Sequence, residues 1–294
     1  MQNIAVILNA RAGSLIGQEP AAMAQRVRAA LRARGREIAI VFAKGARIER
    51  AIAQACGGDA DTVIVGGGDG SVNGAAGRLA FTGKTLGVLP LGTLNLLARD
   101  LGMPQDLEQA LEALARSTPR AIDLATLNGS YFHSISGLGF FSQMARAREE
   151  SRDLPHRVLR IGVAAFRALT RTGRMTLTLE IDGRLSEVRS YAALVTCNRF
   201  AGADWRRSAL DGGTLEVHLA QDEGALARLK AGADLVAGQW RENAGIHSHA
   251  ARHLRMTARR KRLWVATDGE LRRETAPLAY AVAPAALRVL VPPA

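Results

Sequence analysis

Along the first 125 residues, short apolar runs of strand length alternate with longer segments whose apolar residues recur at helical spacing. The predicted strands cover residues 4–8, 37–42, 62–65 and 85–89, and the predicted helices cover 20–34, 46–56, 72–80, 93–100 and 105–116. Strands joined by crossover helices form parallel sheets covered by helices, which bind ligands beyond the carboxyl ends of the strands. The pattern therefore predicts an α/β domain with a parallel, Rossmann-like sheet.

After Asp123 the pattern changes to short alternating segments separated by turn dipeptides such as Asp182-Gly183, which predicts an antiparallel β domain. The predicted strands are 124–133, 175–181, 186–196, 214–220, 252–257 and 263–267, with a helical insertion at about 141–172. The apolar tail at 277–291 is strand-like and is expected to return to the first domain. We expect residues 1–124 with 276–294 to form one domain and residues 125–275 the other.

The charge is placed unevenly along the chain. The 294 residues include 39 Lys and Arg against 27 Asp and Glu, a formal net charge of +12. Residues 1–125 hold 14 basic and 11 acidic residues and the remainder hold 25 and 16, so most of the excess lies in the second domain. A basic field suits an anionic membrane surface or a phosphorylated ligand. Only 4% of the residues are aromatic, which leaves little for base stacking, so no nucleic-acid partner is expected.

Three features bear on the location of the protein. No apolar run approaches the length of about 18 to 20 residues that spans a bilayer. The first apolar run follows no positively charged segment and precedes no small-residue cleavage site, so no secretory signal is expected. Cys56 and Cys197 have no partner at zinc or redox spacing, which suits a reducing compartment. We therefore expect a cytoplasmic protein.

The sequence GGGDGSVNG at 66–74 follows a predicted strand and opens a predicted helix. Glycine lets the backbone approach a bound group closely, and the first amides of a helix face anions, so this pattern predicts a phosphate-binding loop. A carboxylate at Asp69 would repel a phosphate unless it served a metal ion, a ribose or a hydroxyl group, which favours a functional site over a plain turn.

Two common nucleotide-binding motifs do not fit this chain. The dinucleotide pattern GxGxxG needs a third glycine where Ser71 or Asn73 stands. The triplet at 83–85 resembles the end of a P-loop, but Arg78 occupies the position of the earlier glycine, and Lys84 leads into a predicted strand rather than a helix. Both motifs are therefore excluded.

A second loop, PLGTLNLLARDLG at 90–102, also follows a predicted strand and opens a predicted helix. Thr93 and Asn95 can donate hydrogen bonds beside the first loop, although Thr93 is equally suited to capping the helix. Taken alone, this loop leaves both interpretations open.

Together the two loops resemble the diacylglycerol kinase catalytic family, which includes sphingosine and ceramide kinases and the soluble bacterial lipid kinases. The family pattern GGDGT-x-N followed by P-x-GT-x-N-x-x-AR is matched here by GGDGSVN and PLGTLNLLAR. Further matches are the loop NARAG at 9–13, the acidic loop SALDGGTLEV at 208–217, the triplet DGE at 268–270 and the final strand at 284–292. The chain departs from the family at 132–135, where the family has an Asn-rich strand.

This resemblance implies an NAD-kinase-like nucleotide domain followed by an antiparallel β-sandwich, with ATP and Mg²⁺ as cofactors. The implied ATP-binding residues are Asn9, Gly13, Gly67, Gly68, Asp69, Gly70, Ser71, Val72, Asn73, Thr93 and Asn95. The implied Mg²⁺ ligands are Asp211 and backbone carbonyls near Ser208 and Gly213. Glu270 would act as the base that receives the proton of the lipid hydroxyl, and Asp69 would organise metal and phosphate nearby.

The expected function is that of an ATP- and Mg²⁺-dependent lipid kinase acting on diacylglycerol or a related neutral lipid at an anionic membrane surface. An NAD kinase and a non-catalytic nucleotide- or membrane-binding module remain alternatives, as does a nucleic-acid binder more remotely. The sequence does not determine the oligomeric state and is compatible with a homodimer. In isolation, the Asp-Gly pairs at 211–212 and 268–269 would be read as hairpin turns.

The predicted helical insertion has a cationic face. Arg157, Arg160, Arg167 and Arg171 recur on one side of it and apolar residues on the other. Such a helix either docks on an anionic membrane or packs its apolar side on its own domain. The sequence does not choose between these two arrangements.

Overall fold

A computed structural model of the chain describes residues 2–12, 15, 17–32, 35–150, 157–200, 206–221, 224, 230, 234 and 243–293. The chain divides into two compact units: unit 1, residues 1–124 with 284–294, and unit 2, residues 125–283. Residues 276–283 thus lie in unit 2, and only the last part of the apolar tail lies in unit 1. Among the described residues, no helix is both long and apolar enough to cross a membrane.

Unit 1 alternates strands with helices. Its helices are α1 (Pro20–Leu31), α2 (Ala46–Gly57), α3 (Asp69–Leu79), α4 (Leu96–Asp100) and α5 (Leu107–Arg116). Its strands are β1 (Gln2–Asn9), β2 (Gly35–Ala43), β3 (Thr62–Gly67), β4 (Thr85–Pro90), the first part of β5 (Thr118–Leu127) and the last part of β15 (Leu278–Val291).

The sheet of unit 1 has the order β2-β1-β3-β4-β15, and each neighbouring pair in it is parallel. Every residue of β3 and β4 is buried, as expected for strands covered by helices on both faces. The prediction of a parallel α/β sheet is confirmed. Strands β1, β3 and β4 end at the same edge, so the chain segments that follow them are brought together there.

In the described part of the chain, unit 2 contains strands and two helices whose bounds are defined. The strands are β6 (Ser130–Phe132), β7 (Ile135–Gly139), β8 (Met175–Ile181), β9 (Arg184–Cys197), β10 (Leu215–Gln221), β11 (Ile246–Ala251), β12 (His253–Ala258), β13 (Arg262–Thr267) and β14 (Glu270–Thr275), with the first part of β15. The helices are α6 (Phe140–Glu150) and α7 (Arg157–Arg171), which occupy the predicted helical insertion.

The strands of unit 2 pair antiparallel in the order β14-β13-β7-β9-β8-β12-β15, which confirms the predicted antiparallel β domain. The long strand β9 pairs with β8 through its first half, and its second half lies between β7 and β10. The predicted strand at 124–133 is divided into β5 and β6, because Asn128 and Gly129 adopt positive φ and form the turn between them. Phe132, Val195 and Met256 belong to the buried core of this unit.

Candidate functional site

The glycine-rich loop of unit 1 lies where β3 leads into α3. Strand β3 ends at Gly67, Gly68 is the N-cap of α3, and the helix begins at Asp69 rather than at the predicted residue 72. Gly68 supplies no side-chain cap. Because the first N–H groups of a helix have no partner within it, the amides of Gly70 and Ser71 at the start of α3 are placed to bind an anion.

Two glycines of this loop, Gly66 and Gly67, lie in close packing. A Cβ atom at Gly66 would lie 2.5 Å from Leu8 Cδ2, and one at Gly67 would lie 3.0 Å from Ser71 Cβ. The loop that follows β4 approaches still more closely, since a Cβ atom at Gly92 would lie 2.4 Å from the Cα of Gly68. The two loops predicted from sequence therefore pack backbone against backbone.

Asp69 joins the two loops by hydrogen bonds. Its Oδ1 accepts from the N–H of Leu96 at 2.6 Å and its Oδ2 accepts from the N–H of Asn95 at 3.1 Å. A carboxylate at the start of a helix satisfies backbone donors and interacts favourably with the helix dipole. Asp69 therefore positions the start of α4 relative to α3, and its assignment to metal and phosphate stays a prediction.

Asn95 shapes the second loop from within. It has a left-handed backbone, with φ 53° and ψ 48°. Its Oδ1 accepts from the N–H of Gly92 at 2.9 Å, while its Nδ2 donates to the carbonyl of Gly92 at 3.0 Å and to Gln105 Oε1 at 3.1 Å. A side-chain amide has only two N–H donors, so both donors of Asn95 are used within the protein, and its assignment to ATP stays a prediction.

The loop that follows β1 lies beside the glycine-rich loop. Asn9 Cβ is 3.8 Å from the position that a Cβ atom of Gly67 would occupy, and Asn9 Oδ1 accepts from the N–H of Arg11 at 3.0 Å. Gly13, the other predicted residue of this loop, lies outside the described residues. The Thr93 side chain is exposed and is not the N-cap of α4, a position that Asn95 occupies.

Val72 and Asn73 lie inside unit 1 rather than on its surface. Val72 is 3% exposed and its N–H donates to the carbonyl of Gly68 at 3.1 Å, so it supports the first turn of α3. Its assignment to ATP stays a prediction. Asn73 is also buried, and within the described part of the chain its Oδ1 has no hydrogen-bond partner. A buried acceptor without a partner is rare and marks this turn of α3 as unusual.

The P-loop-like triplet at 83–85 has a structural role. Lys84 Nζ donates to the carbonyl of Cys56 at 3.1 Å and to the carbonyl of Gly58, which ties the start of β4 to the end of α2. Burial raises the pKa of the Cys56 thiol, although Arg78 and Lys84 act in the opposite direction. The hydrogen bonds of Lys84 agree with the exclusion of a P-loop at this position.

The resemblance implies that these loops bind ATP, and replacing Asp69 by alanine is then expected to weaken nucleotide binding more than it weakens folding. Loss of the two bonds that hold α4 costs about 1 kcal/mol of unfolding free energy, as for other helix caps, while the unfixed loop at 90–96 lowers affinity for ATP about tenfold or more. Denaturant unfolding and calorimetric titration with ATP measure the two effects.

The matched control is Asp106, the N-cap of α5, which accepts from the N–H groups of Glu108 and Gln109 at 3.0 and 3.1 Å. Asp106→Ala should lose similar stability and keep its affinity for ATP. Equal affinities in the two variants would show that Asp69 is only a helix cap.

In unit 2, Asp268 and Gly269 form the two-residue turn between β13 and β14. Both have positive φ, 46° and 85°, and the flanking residues Thr267 and Glu270 pair with each other. An Asp-Gly pair suits this type of hairpin turn because both of its residues need positive φ. The turn interpretation is therefore correct, and it places Glu270 at the first position of β14.

Asp268 is buried and anchors this turn. Its Oδ2 accepts from the N–H of His133 at 2.8 Å, and its Oδ1 accepts from the N–H groups of Ser134 and Ile135 at 3.0 Å each. His133 Nε2 lies 3.6 Å from the same carboxylate. The sequence gives no sign that the residues at 133–135 support the Asp268 turn, apart from their departure from the family pattern.

Glu270 lies at the edge of this arrangement and is accessible to a substrate. Its side chain is 43% exposed, and its Oε2 accepts from Arg272 Nη2 at 2.7 Å. Residues two apart on a strand share a face, so Arg272 orients the carboxylate along β14. A carboxylate held in this way can accept a proton from a substrate hydroxyl.

The acidic loop before β10 is fixed at both of its ends. Ser208 donates to the carbonyl of Arg199 through its N–H at 2.8 Å and its Oγ at 3.1 Å. At the other end, the N–H of Asn198 donates to the carbonyl of Thr214 at 2.8 Å, and Asn198 Oδ1 accepts from the N–H of Thr214 at 3.3 Å. Asp211 lies between these anchors and is exposed.

Backbone pairing brings the acidic loop and the Asp268 turn to the same end of the sheet in unit 2. The N–H of Cys197, in β9, donates to the carbonyl of Ser134 at 2.9 Å, and the N–H of Ser134 donates to Asp268. Strands β7 and β9 separate β13 from β10, a distance of three strand spacings of about 4.8 Å each.

The acidic loop has the chemistry of a magnesium site, since Asp211 offers a carboxylate and the backbone of Ser208 and Gly213 offers carbonyl oxygens. Gly213 has φ 64°, which bends the backbone at this point. Within the described ranges there is no group of three or more His, Cys, Asp or Glu side chains that would hold a metal ion alone. The residues therefore fit an ion that completes its coordination with water and substrate phosphates, which is the usual mode for Mg²⁺.

A buried hydroxyl cluster packs beneath the Asp268 turn. Ser136 Oγ lies 3.1 Å from the Tyr280 hydroxyl and 3.3 Å from Thr267 Oγ1. Burial raises the pKa of Tyr280 well above its usual range, although the hydrogen bond with Ser136 acts in the opposite direction. Tyr280 therefore stays neutral and supports the turn by packing and hydrogen bonding.

Replacing Asp268 by asparagine is expected to destabilise unit 2 by about 2 to 3 kcal/mol, because one carboxylate oxygen becomes an amide that cannot accept from a buried N–H. Denaturant unfolding measures the loss. Asp182→Asn is the matched control, since Asp182 begins the Asp-Gly turn between β8 and β9 and accepts from the N–H of His253 at 2.8 Å. Its side chain is 46% exposed, so we expect a loss below about 1 kcal/mol. Equal losses would contradict the anchoring role of Asp268.

Two family models match the chain in sequence order. Residues 3–127 match the model described as the diacylglycerol kinase catalytic domain. Residues 137–291 match the model described as the YegS C-terminal NAD kinase beta sandwich-like domain. Together they cover most of the chain.

Curated relatives and solved structures agree with these matches. The chain is 32% identical over 151 residues to a diacylglycerol kinase of Bacillus subtilis strain 168, covering 48% of each chain. It is 35% identical over 170 residues to a probable lipid kinase YegS-like of Pseudomonas aeruginosa strain UCBPP-PA14, covering 55% of this chain and 53% of the relative. The alignments thus span about half the length of these two curated relatives, and a smaller share of some other relatives.

The fold is also similar to the crystal structure of a putative diacylglycerol kinase from Bacillus anthracis str. Sterne. The TM-score is 0.78 at 20% identity, and the match covers 99% of this chain and 96% of that one. At this identity the likeness shows the fold.

Proposed function

Because the chain belongs to the diacylglycerol kinase catalytic domain family, in the form that carries the YegS C-terminal domain, we propose that it is a lipid kinase. In this proposal it transfers the γ-phosphate of ATP to a lipid hydroxyl, with diacylglycerol or a related neutral lipid as acceptor. The observation that carries the proposal is the pair of joined loops in unit 1, where Gly68 packs on Gly92 and Asp69 binds the start of α4.

The joined loops suit the phosphates of ATP. Phosphoryl transfer depends mainly on positioning and on neutralising charge, so a rigid set of backbone donors is what the reaction requires. The amides at the start of α3, at Gly70 and Ser71, bind and orient the phosphate chain. Gly67 and Gly92 keep this backbone open to the phosphate chain, because a Cβ atom at Gly67 would crowd Ser71 and one at Gly92 would meet the backbone of Gly68.

Asp211 and the backbone carbonyls near Ser208 and Gly213 would hold Mg²⁺. The ion, when bound, supplies positive charge that neutralises the phosphates during transfer. The protein's own contribution is to keep this loop in place through Asn198 and Arg199.

Glu270 is the proposed general base. Its carboxylate accepts the proton of the lipid hydroxyl as the oxygen attacks the γ-phosphorus, and ADP leaves. Arg272 orients the carboxylate, and the Asp268 turn fixes the backbone from which it projects. Exposure of Glu270 supports this assignment, because the acceptor must reach it from outside the unit.

We further propose that the protein acts from the cytoplasm and attaches peripherally to the membrane that contains its acceptor. The excess of basic residues after residue 125 supports this, since anionic headgroups attract juxtamembrane basic groups.

A screen of acceptors with γ-labelled ATP tests the proposal. The panel contains diacylglycerol, monoacylglycerol, ceramide, sphingosine and phosphatidylglycerol in detergent micelles, with NAD as the alternative acceptor. We expect label in a neutral glycerolipid and none in NAD. Labelling of NAD alone would identify an NAD kinase, and ATP binding without transfer to any acceptor would identify a non-catalytic module.

A further inference from the structure

The hairpin of β13 and β14 carries an exposed aromatic side chain beside a basic one. Trp264 is 43% exposed. It pairs across the hairpin with Arg273, whose Cζ lies 5.7 Å from the centroid of the Trp264 ring. A guanidinium at this distance from an indole forms a cation–π contact, so the two side chains make one surface feature.

A run of four basic residues leads into the same hairpin. Arg259, Arg260, Lys261 and Arg262 are all exposed, and in the part of the chain that the structure describes none of them takes part in an ion pair. We call the residues at 259–262 together with Trp264 and Arg273 the Trp264 patch. It combines an aromatic ring with five positive charges.

The cationic helix that the sequence analysis identified differs from this patch. In α7, Arg171 Nη1 lies 2.7 Å from Glu150 Oε2 and Arg167 Nη1 lies 3.9 Å from the same oxygen. The hydrogen bond from Arg171 lowers the pKa of Glu150, so that carboxylate stays charged and offsets part of the positive face. The side chains of Arg157 and Arg160 lie outside the described residues. Two of the four arginines of this helix face are thus paired with a carboxylate, whereas no ion pair involves residues 259–262 in the described part of the chain.

We infer that the Trp264 patch is the surface through which the protein docks on an anionic lipid bilayer. Tryptophan favours the boundary between headgroups and acyl chains, where its apolar ring and its N–H group both find partners. Basic residues at the same depth are attracted to anionic headgroups. Charge complementarity favours the bilayer as occupant, and one ring on a patch of this kind provides no succession of stacking platforms for a nucleic acid.

This inference rests on the proposed function and extends it, because the hairpin that carries the Trp264 patch also carries the proposed base, Glu270. The side chains of cross-strand partners lie on one face, and those faces alternate along each strand. Since Trp264 pairs with Arg273 and Thr267 pairs with Glu270, Trp264 and Glu270 lie on opposite faces of the hairpin. Docking through Trp264 would bring the strand that carries the proposed base to the membrane surface.

Sedimentation with vesicles tests the inference without measuring activity. The full chain is mixed with vesicles of phosphatidylcholine alone or of phosphatidylcholine and phosphatidylglycerol in equal parts. One variant is Trp264→Ser, and a second replaces the four residues at 259–262 by glutamine. The controls are Leu185→Ser, an apolar residue of unit 2 that is more exposed than Trp264, and a glutamine variant of four exposed arginines of unit 1, Arg28, Arg47, Arg50 and Arg120.

We expect the wild type to bind the anionic vesicles and to bind phosphatidylcholine weakly. The four-residue variant should lose affinity about tenfold or more, since each basic residue contributes separately, and Trp264→Ser should lose about threefold to tenfold. Both controls should bind like the wild type. Circular dichroism and thermal unfolding check that each variant is folded, and the two patch variants test the inference independently of each other.

Wild-type affinity in the patch variants would overturn the inference, as would an equal loss in the controls. Failure of the wild type to bind anionic vesicles would overturn it as well. If such a protein instead bound duplex DNA in a salt-sensitive way, the patch would be a nucleic-acid surface. The proposed kinase activity is measured separately in detergent micelles, so an inactive protein that still docks through the Trp264 patch would refute the proposed function alone.

Discussion

Replacing Gly92 by alanine is expected to lower lipid-dependent ATP turnover about 100-fold or more, because an added Cβ atom forces the two nucleotide loops apart. That atom would lie 2.4 Å from the Cα of Gly68 and 2.8 Å from Asn95 Oδ1. The first neighbour is backbone at the N-cap of α3 and cannot rotate away. Overpacking of this kind also costs about 1 to 3 kcal/mol of unfolding free energy, which leaves a folded but misaligned site.

The control for Gly92 is Gly74→Ala in the middle of α3. The nearest atom to a Cβ there is Arg78 Nη1 at 3.7 Å, an ordinary contact with the end of a flexible side chain. This variant should keep its turnover and gain slightly in stability from the better helix propensity of alanine. Wild-type turnover in Gly92→Ala would contradict the claim that contact between the two loops builds the phosphate site.

Replacing Glu270 by glutamine is expected to lower lipid-dependent ATP turnover about 100-fold or more, while the affinity for ATP stays nearly unchanged. Glutamine has the same shape and can still accept from Arg272, but it cannot take up a proton at neutral pH. Steady-state kinetics with a saturating lipid acceptor should show the loss in kcat, and calorimetric titration should show the retained binding of ATP.

Glu274→Gln on the same strand is the matched control. Glu274 accepts from Asn128 Nδ2 at 3.0 Å, and an amide oxygen can keep that bond. This variant removes one negative charge from β14 and should leave kcat within about twofold, since it lies more than one strand spacing from the proposed base. Unchanged turnover in Glu270→Gln would remove Glu270 from the mechanism.

The parallel sheet and its two loops were predictable because their signals are local. The run at 62–67 is apolar and reaches glycine where the strand ends, and the run at 85–90 ends at Pro90, two residues before Gly92 in the loop to α4. The sequence pattern predicts the start of α3 three residues too late, because glycine at 68 and 70 lowers helix propensity, although glycine is well tolerated at a helix N-terminus. At this point the low helix propensity of glycine opposes an early start of the helix, while its suitability as an N-cap favours one, and the helix starts early.

The support for the candidate site could not be predicted, since it depends on contacts between distant residues. Asp268 binds the backbone at 133–135, which lies far away in sequence, and the pairing of β7 with β13 brings the two together. Likewise, the left-handed backbone of Asn95 orients its side chain, and the loop sequence PLGTLN does not predict that backbone conformation.

Two identical Asp-Gly dipeptides also show that local sequence does not determine burial. Asp182-Gly183 and Asp268-Gly269 both form two-residue turns with positive φ. The side chain of the first is 46% exposed and that of the second is fully buried. Local sequence predicts the turn in each case, while burial and the functional neighbourhood come from the strands that pack around it.

The most direct test of the central claim is the transfer of label from γ-labelled ATP to chloroform-extractable lipid by the wild-type protein. Diacylglycerol in detergent micelles is the acceptor, with Mg²⁺ present or removed by chelation. The account predicts a labelled phosphomonoester of the lipid that depends on both protein and Mg²⁺. If ATP binds but label never appears in diacylglycerol or in any other lipid of the acceptor panel, the protein is not the lipid kinase proposed here.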